Sequence, residues 1–233
     1  MSGKPSNQAS LRMAIAVLAS GRGSNLQAII DACAAPDFPA RIVLVLSNRP
    51  GAQALQRAKQ AGLATAVIDH KQIGSREAFD KAAQERLVAA GAELVCLAGF
   101  MRILTPGFVA AFHDRLINVH PSLLPAFPGL HTHALAIAAG VRFAGCTVHY
   151  VRSEVDVGPI IAQTAVPVQI GDTADTLAAR VTASEHRIYP QVVRWIAEGR
   201  VRVEGTRVTI DGAVVPAAAL INPQPTISVS AKK

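Results

Sequence analysis

Asn118 and His120 stand two residues apart in Leu116-Ile117-Asn118-Val119-His120-Pro121, an apolar run that reads as a strand stopped by proline. Alternation along a strand turns both side chains to one side and Val119 to the other. An amide donor beside an imidazole, aimed together from a rigid element, can stabilise an oxyanion and move a proton. A lone histidine is more often structural, but here the paired asparagine and the proline-rich stretch through Pro128 favour chemistry. Asp156, in Glu154-Val155-Asp156-Val157-Gly158-Pro159, is the obvious carboxylate partner for His120. Spacing alone does not show that they meet, and an isolated Asp in such a turn reads first as a turn cap. Ser20, Ser24 and Ser122 lie in neither a Gly-x-Ser-x-Gly nor a Ser-x-x-Lys pattern, so no covalent nucleophile is expected. His131 and His133 form His-x-His without a Cys or carboxylate at ligand spacing, and no metal is expected. His70, His113, His149 and His186 read as structural or surface residues.

A second candidate is Ser20-Gly21-Arg22-Gly23-Ser24-Asn25, which opens directly into a helical pattern. Glycines let a backbone approach an anion, and the free N–H groups of a helix start favour phosphate. Leu26 stands where a dinucleotide fingerprint has its third glycine, and no Gly-Lys-Ser/Thr follows as in a P-loop. An ordinary glycine turn with Ser24 as N-cap is the alternative. A third stretch, Gly99-Phe100-Met101-Arg102-Ile103-Leu104-Thr105-Pro106, is mostly apolar. Such a turn suits a flat aromatic ligand held by backbone groups, and equally suits core packing beneath a loop.

These stretches fall at the ends of short apolar runs that alternate with helical patterns, as in a parallel sheet with crossover helices. The pattern predicts strands over Met13–Ala19, Arg41–Leu46, Thr65–Ile68, Leu94–Ala98, Leu116–Val119, Cys146–Val151 and Ile160–Val168. Helices are predicted over Ser24–Ala34, up to about Ala61, over Ser75–Ala90, and over Thr173–Glu198 with Thr173 as N-cap and Gly199 at the end. A hairpin around Gly205-Thr206 pairs Arg200–Glu204 with Arg207–Asp211. In an open parallel sheet ligands bind outside the carboxyl ends of the strands, which is where all three candidate stretches lie. The expected fold is therefore α/β, a Rossmann-like, mostly parallel sheet with helices on both faces and a C-terminal β-hairpin. One domain over residues 13–212 is expected, between loose tails at 1–12 and 213–233.

Composition narrows the class further. Half of the 233 residues are hydrophobic and 17% are charged, as in a globular protein. No apolar run reaches the ~18 residues of a membrane span. Met13–Ala19 runs straight into the glycine turn without a convincing cleavage site, so a cytoplasmic protein is expected. Cys33, Cys96 and Cys146 are odd in number, far apart and set among apolar neighbours, which suggests reduced thiols. The net charge of +7 owes +4 to Lys4, Arg12, Lys232 and Lys233 in acid-free tails, leaving +3 for residues 13–212. Without a Lys/Arg block, and with aromatics at 4%, nucleic-acid binding is not expected. The excess suits mild steering of a small anion.

Taken jointly and in order, Ser20–Asn25, Ala98–Leu104, Asn118–Pro125 with Pro128–His133, Asp156–Pro159 and Glu185–Pro190 resemble the folate-dependent phosphoribosylglycinamide formyltransferases. The likeness runs from about Met13 to Gly199. It implies a transferase of purine biosynthesis and one-carbon metabolism that uses 10-formyltetrahydrofolate as co-substrate and no metal. It implies that Gly23, Ser24 and Asn25 hold the ribose phosphate of glycinamide ribonucleotide and that Glu185 contacts the same substrate. Arg76, Met101, Arg102, Ile103, Leu104, Asn118, Glu154 and Val155 match folate-contacting residues, and Asn118, His120 and Asp156 match the catalytic group. Val157 departs from the family's common Gly-Gly pair before the proline. Small-molecule substrates and a monomer or homodimer are expected, without nucleic acid or membrane.

Two related formyl-handling classes share the Asn-x-His and Asp-x-Gly-Pro elements. A methionyl-tRNA formyltransferase is expected to carry an RNA-binding domain after the catalytic one, where this sequence has a hairpin and tail. A formyltetrahydrofolate hydrolase is expected to carry a regulatory domain ahead of the first strand, where 12 residues stand. A non-catalytic folate- or nucleotide-binding module would have no need of Asn118, His120 and Asp156 together.

Overall fold

β1 (Met13–Leu18) is apolar at every position because both faces of the sheet are covered. Ile15 and Val17 enter one hydrophobic cluster, and Ala16 and Leu18 enter the other. The computed structural model describes residues 12–214, 216 and 219–223. β1 lies parallel between β2 (Ala40–Ser47) and β4 (Leu94–Leu97), with β3 (Thr65–Val67) outside β2. β5 (Leu116–His120) continues the parallel set beyond β4. β6 (Phe143–Tyr150) and β7 (Ile160–Pro167) then add antiparallel strands, which gives the order β3-β2-β1-β4-β5-β6-β7. The chain winds outward from β1 to β3 and returns to β4 on the other side. The crevice between the carboxyl ends of β1 and β4 is thus the topological switch point.

One face of the sheet is covered by α1 (Ser24–Ala34), α2 (Gln53–Gln60), α5 (Thr132–Ala138) and α6 (Ala174–Ala197), whose buried residues share a cluster. The other face carries α3 (Arg76–Ala89) and α4 (Pro106–Ala111), through Phe79, Leu87 and Phe108. Local chemistry sets the boundaries. Ser75 accepts the Ala78 N–H to start α3, and Thr173 and Thr176 form a reciprocal capping box at the start of α6. Gly199, at φ 68°, follows the last turn of α6. The predicted hairpin is present as β8 (Val201–Glu204) and β9 (Arg207–Ile210).

The sequence reading contains neither α4 nor α5. At six and seven residues, neither is long enough to display a helical period. α4 starts from a Thr105 cap with Pro106 in its first turn, and α5 follows His131, which sits at φ 60°. The expected loose tails lie largely outside the described residues. Within them, the Asn222 side chain donates to the carbonyls of Arg142 at 2.6 Å and Val168 at 3.2 Å.

Tyr189 of α6 is fully buried, and its hydroxyl reaches the carbonyls of Leu97 and Ile117 at 3.0 and 3.3 Å. This ties α6 to β4 and β5 one helical turn after Glu185. On β6, Gly145 leaves no room for a side chain. A Cβ there would stand 1.9 Å from the Thr164 carbonyl oxygen and 2.9 Å from Leu123. Neither strand can shift without disturbing the β6–β7 pairing. Gly145→Ala is expected to destabilise the protein by about 2 kcal/mol or more, read as a lowered denaturant midpoint at unchanged m-value.

Candidate active site

His120 closes β5 with 4% of its surface exposed. Its Nδ1 lies 3.2 Å from Asp156 Oδ1, and its Nε2 lies 3.0 Å from the Phe127 carbonyl oxygen. Both ring nitrogens therefore face acceptors, an arrangement that only an imidazolium, with two N–H groups, satisfies fully. Burial pulls the proton affinity of His120 down. Hydrogen bonding to Asp156 and Phe127, with the charges of Asp156 and Glu185, outweighs it, and the net shift is upward. Burial likewise raises Asp156, and the bonds from His120 and the Gly129 N–H overcome it to leave the carboxyl below its usual range. The two shifts agree: charged imidazole and charged carboxylate hold each other.

Asp156 arrives by a detour. Tyr150, at the end of β6, pairs with Ile117 near the start of β5, so the β6–β7 loop must run back along β5 to reach His120. Asp156 adopts φ 56°, an uncommon conformation for a residue with a side chain. Its Oδ2 accepts the Gly129 N–H at 2.7 Å, which fastens the loop to the 121–131 segment. Val157 is half exposed and does not have positive φ, so a β-branched residue is accommodated there.

Asn118, one alternation before His120, is held by His149, which from sequence reads only as a structural or surface residue. His149 stands opposite Asn118 in the β5–β6 register. His149 Nδ1 is 3.0 Å from the Tyr150 carbonyl and therefore carries the proton, leaving Nε2 to accept from Asn118 Nδ2 at 3.3 Å. Burial holds the proton affinity of His149 down, which keeps the ring neutral and able to accept. The second N–H of Asn118 remains available. His149 is invisible in the sequence because only strand register brings it to Asn118.

The loop after β1 is assembled at the switch point. Gly23, at φ 72°, is the N-cap of α1, in place of the Ser24 cap weighed from sequence. The structure also gives a second reason for this glycine. A Cβ at Gly23 would stand 2.7 Å from Ala54 Cα, so close packing on α2 already demands glycine, whatever the loop binds. α1 starts without a side-chain cap or an acidic residue in its first turn, leaving the positive end of its dipole uncompensated beside Ser24 and Asn25. Asn25 Nδ2 donates to Glu185 Oε2 at 2.8 Å, joining this loop to α6. Glu185 is buried, and its burial raises its proton affinity against the opposing effects of Asn25 and His120.

Ser20, the first residue of the Ser20–Asn25 phosphate-loop candidate, is a buried clip. Its hydroxyl donates to Asn48 Oδ1 at 2.6 Å and accepts the Met101 N–H at 2.8 Å, and its own N–H donates to the Gly99 carbonyl. The turn after β4 is thereby fixed to the ends of β1 and β2. Met101 and Ile103 project from this turn exposed, Leu104 is buried in the core, and Arg102 stacks 4.6 Å above the Phe79 ring. Arg76 begins α3 exposed, and Glu154 and Val155 stand exposed on the Asp156 loop. Of the cysteines, Cys96 and Cys146 are buried and Cys33 is partly so; burial pushes the Cys146 thiol up to about 12.

The His120–Asp156 pair generates a titration prediction. His120 should titrate above the ordinary histidine value of about 6.5, measured by NMR of the imidazole carbons. In Asp156→Asn the burial effect loses its main opponent, and the titration should move to lower pH. An unmoved His120 titration would break the assigned coupling.

A family model described as formyl transferase matches residues 13–193. The phosphoribosylglycinamide formyltransferase of Escherichia coli (strain K12) is 47% identical over 204 residues, covering 88% of this chain and 96% of that protein. The trifunctional purine biosynthetic protein adenosine-3 of Gallus gallus is 51% identical over 192 residues; the match takes in 82% of this chain but only 19% of that protein's length. Among solved structures, glycinamide ribonucleotide transformylase 1 from Symbiobacterium toebii superposes with a TM-score of 0.84 at 50% identity, covering 88% of this chain and 95% of that one. The chain belongs to the formyl transferase family.

Proposed function

We propose that the protein transfers the formyl group of 10-formyltetrahydrofolate to the amine of glycinamide ribonucleotide, in purine biosynthesis. The observation that carries this reading is the His120–Asp156 pair held beside Asn118 on one strand end, next to the helix start that Asn25 links to Glu185. A near relative of matching length has the corresponding activity in its name.

The substrate amine attacks the formyl carbon and produces a tetrahedral oxyanion. Asn118 offers the N–H that His149 leaves free, and His120 offers Nε2–H, drawn from the Phe127 carbonyl toward the stronger acceptor. Asp156 keeps the imidazole charged until the proton is needed. His120 then supplies that proton toward the departing folate nitrogen, and the proton lost by the attacking amine restores the imidazolium. No acyl-enzyme forms. Gly23, Ser24 and Asn25 hold the ribose phosphate at the start of α1, with Glu185 beside the ribonucleotide. The exposed side chains of Met101 and Ile103, with Arg76, Arg102, Leu104, Asn118, Glu154 and Val155, line the folate position. Small-molecule partners, a monomer or homodimer and a cytoplasmic location complete the reading.

A formyl-transfer assay with and without glycinamide ribonucleotide tests the reaction. Folate turnover should require the ribonucleotide, and equal turnover in water alone would identify a hydrolase. Asp156→Asn keeps the shape of the side chain and removes its charge, and should lower kcat by about 10²-fold or more with little change in ribonucleotide KM. Asn118→Ala should also act on kcat, and the double variant should lose less than the product of the two effects, because both serve one transition state. A near-normal kcat in Asp156→Asn would remove Asp156 from the mechanism.

A substitution at Gly23 cannot probe the phosphate loop, because any side chain there would strike Ala54. Asn25→Ala removes the bond to Glu185 and should raise ribonucleotide KM several-fold while leaving folate KM in place. A selective loss of folate binding would reassign the loop.

A further inference from the structure

The carboxyl ends of β1, β2 and β3 frame a cleft of about 740 Å³ that the formyl-transfer reading leaves unused. None of Gly23, Ser24, Asn25, His120 or Glu185 lines it. Arg22 enters from the loop after β1, Arg49 from the loop after β2, and Lys71 from the loop after β3. None of these three cations forms an ion pair with a carboxylate among the described residues. Asp69 is the one acid on the wall. Its carboxylate is engaged by its own loop, accepting from the Lys71 N–H at 2.9 Å and the Gln72 side chain at 3.2 Å. His70 is anchored through Nδ1, which donates to the Asn48 carbonyl at 2.6 Å.

The start of α2 forms part of the same wall. It has no side-chain cap and no acidic residue in its first turn; the Ala54 N–H is taken by the Gly21 carbonyl at 3.0 Å, and the rest of its positive dipole end adds to the field of the cations. Three cations against one carboxylate leave an excess of two positive charges around the cleft. That excess matches a dianion better than a single carboxylate, and two guanidinium forks suit the oxygens of a phosphate. The volume lies within the range of about 300–1,000 Å³ usual for small-molecule sites and exceeds what a bare phosphate needs.

We propose that this cleft is a second anion site, distinct from the one formed by Gly23, Ser24 and Asn25 although Arg22 belongs to the same loop, which takes a compact phosphate-bearing ligand through Arg22, Arg49 and Lys71. Its phosphate lies at the start of α2, and the remainder of the ligand occupies the space toward β3. The site stands on its own geometry and does not depend on which reaction the neighbouring residues catalyse.

Calorimetric titration of the full chain with inorganic pyrophosphate, at fixed ionic strength and with glycinamide ribonucleotide saturating, tests it. Pyrophosphate should still bind under those conditions. Arg49→Gln combined with Lys71→Gln should weaken that binding by about fivefold or more, as expected for losing two charge-assisted contacts. The KM values for both substrates should stay unchanged, which also reports that the variant is folded. Absence of pyrophosphate binding in the ribonucleotide-saturated protein would overturn the proposal, as would equal binding by the variant. A raised ribonucleotide KM in the variant would assign these cations to the substrate phosphate and overturn it as well.

Discussion

His120 gives up nearly all its contact with water, and what it receives in return is a carboxylate on one nitrogen and a carbonyl on the other. A buried charge is costly unless it is paired and hydrogen-bonded. Satisfying His120 therefore constrains much of the chain around it. The β6–β7 loop must turn back along β5 and hold Asp156 at positive φ. The 121–131 segment must present both the Phe127 carbonyl to His120 and the Gly129 N–H to Asp156. Removing either partner leaves an ion unpaired, which is why this pair couples the proton chemistry to the shape of two loops.

The two buried histidines of the site divide their work by surroundings. His120 faces a carboxylate and a carbonyl and is held charged; His149 faces a carbonyl and an amide donor and is held neutral. One residue type thus supplies an acid and a fixed acceptor within a single pair of strands. The neutral ring orients Asn118, and the charged ring stands next to it on β5. Environments that push like groups apart in proton affinity are characteristic of acid–base sites.

The rest of the edge is held by polar groups that have left water in pairs. Ser20 joins the ends of β1, β2 and the turn after β4, and Asn25 joins α1 to α6. These links are short and buried or partly buried, so the loops they fasten keep their positions relative to His120 without a large apolar contact of their own. Gly23 is part of this economy of space: α2 packs against it, which brings the starts of two helices together at one sheet edge.

The sequence by itself determined the strand and helix order, the place of the turns after β1, β4 and β5, and the identity of Asn118, His120 and Asp156 as candidates. Those features are written in local patterns: apolar runs, caps, prolines and spacing over a few residues. It did not reveal the short α4 and α5, because six or seven residues make fewer than two turns, too few for an apolar repeat to stand out. Nor did it assign His149 or Ser20, since a histidine in an alternating strand and a serine in a glycine turn look ordinary. Only the tertiary structure decided that Asp156 meets His120 across 36 positions of chain, that His149 stands opposite Asn118, and that Gly23 answers to Ala54. Each of these is a contact between segments distant in sequence, set by strand register and by the packing of helices on the sheet. No local pattern encodes a register, because it is chosen by how all the apolar faces can be buried at once.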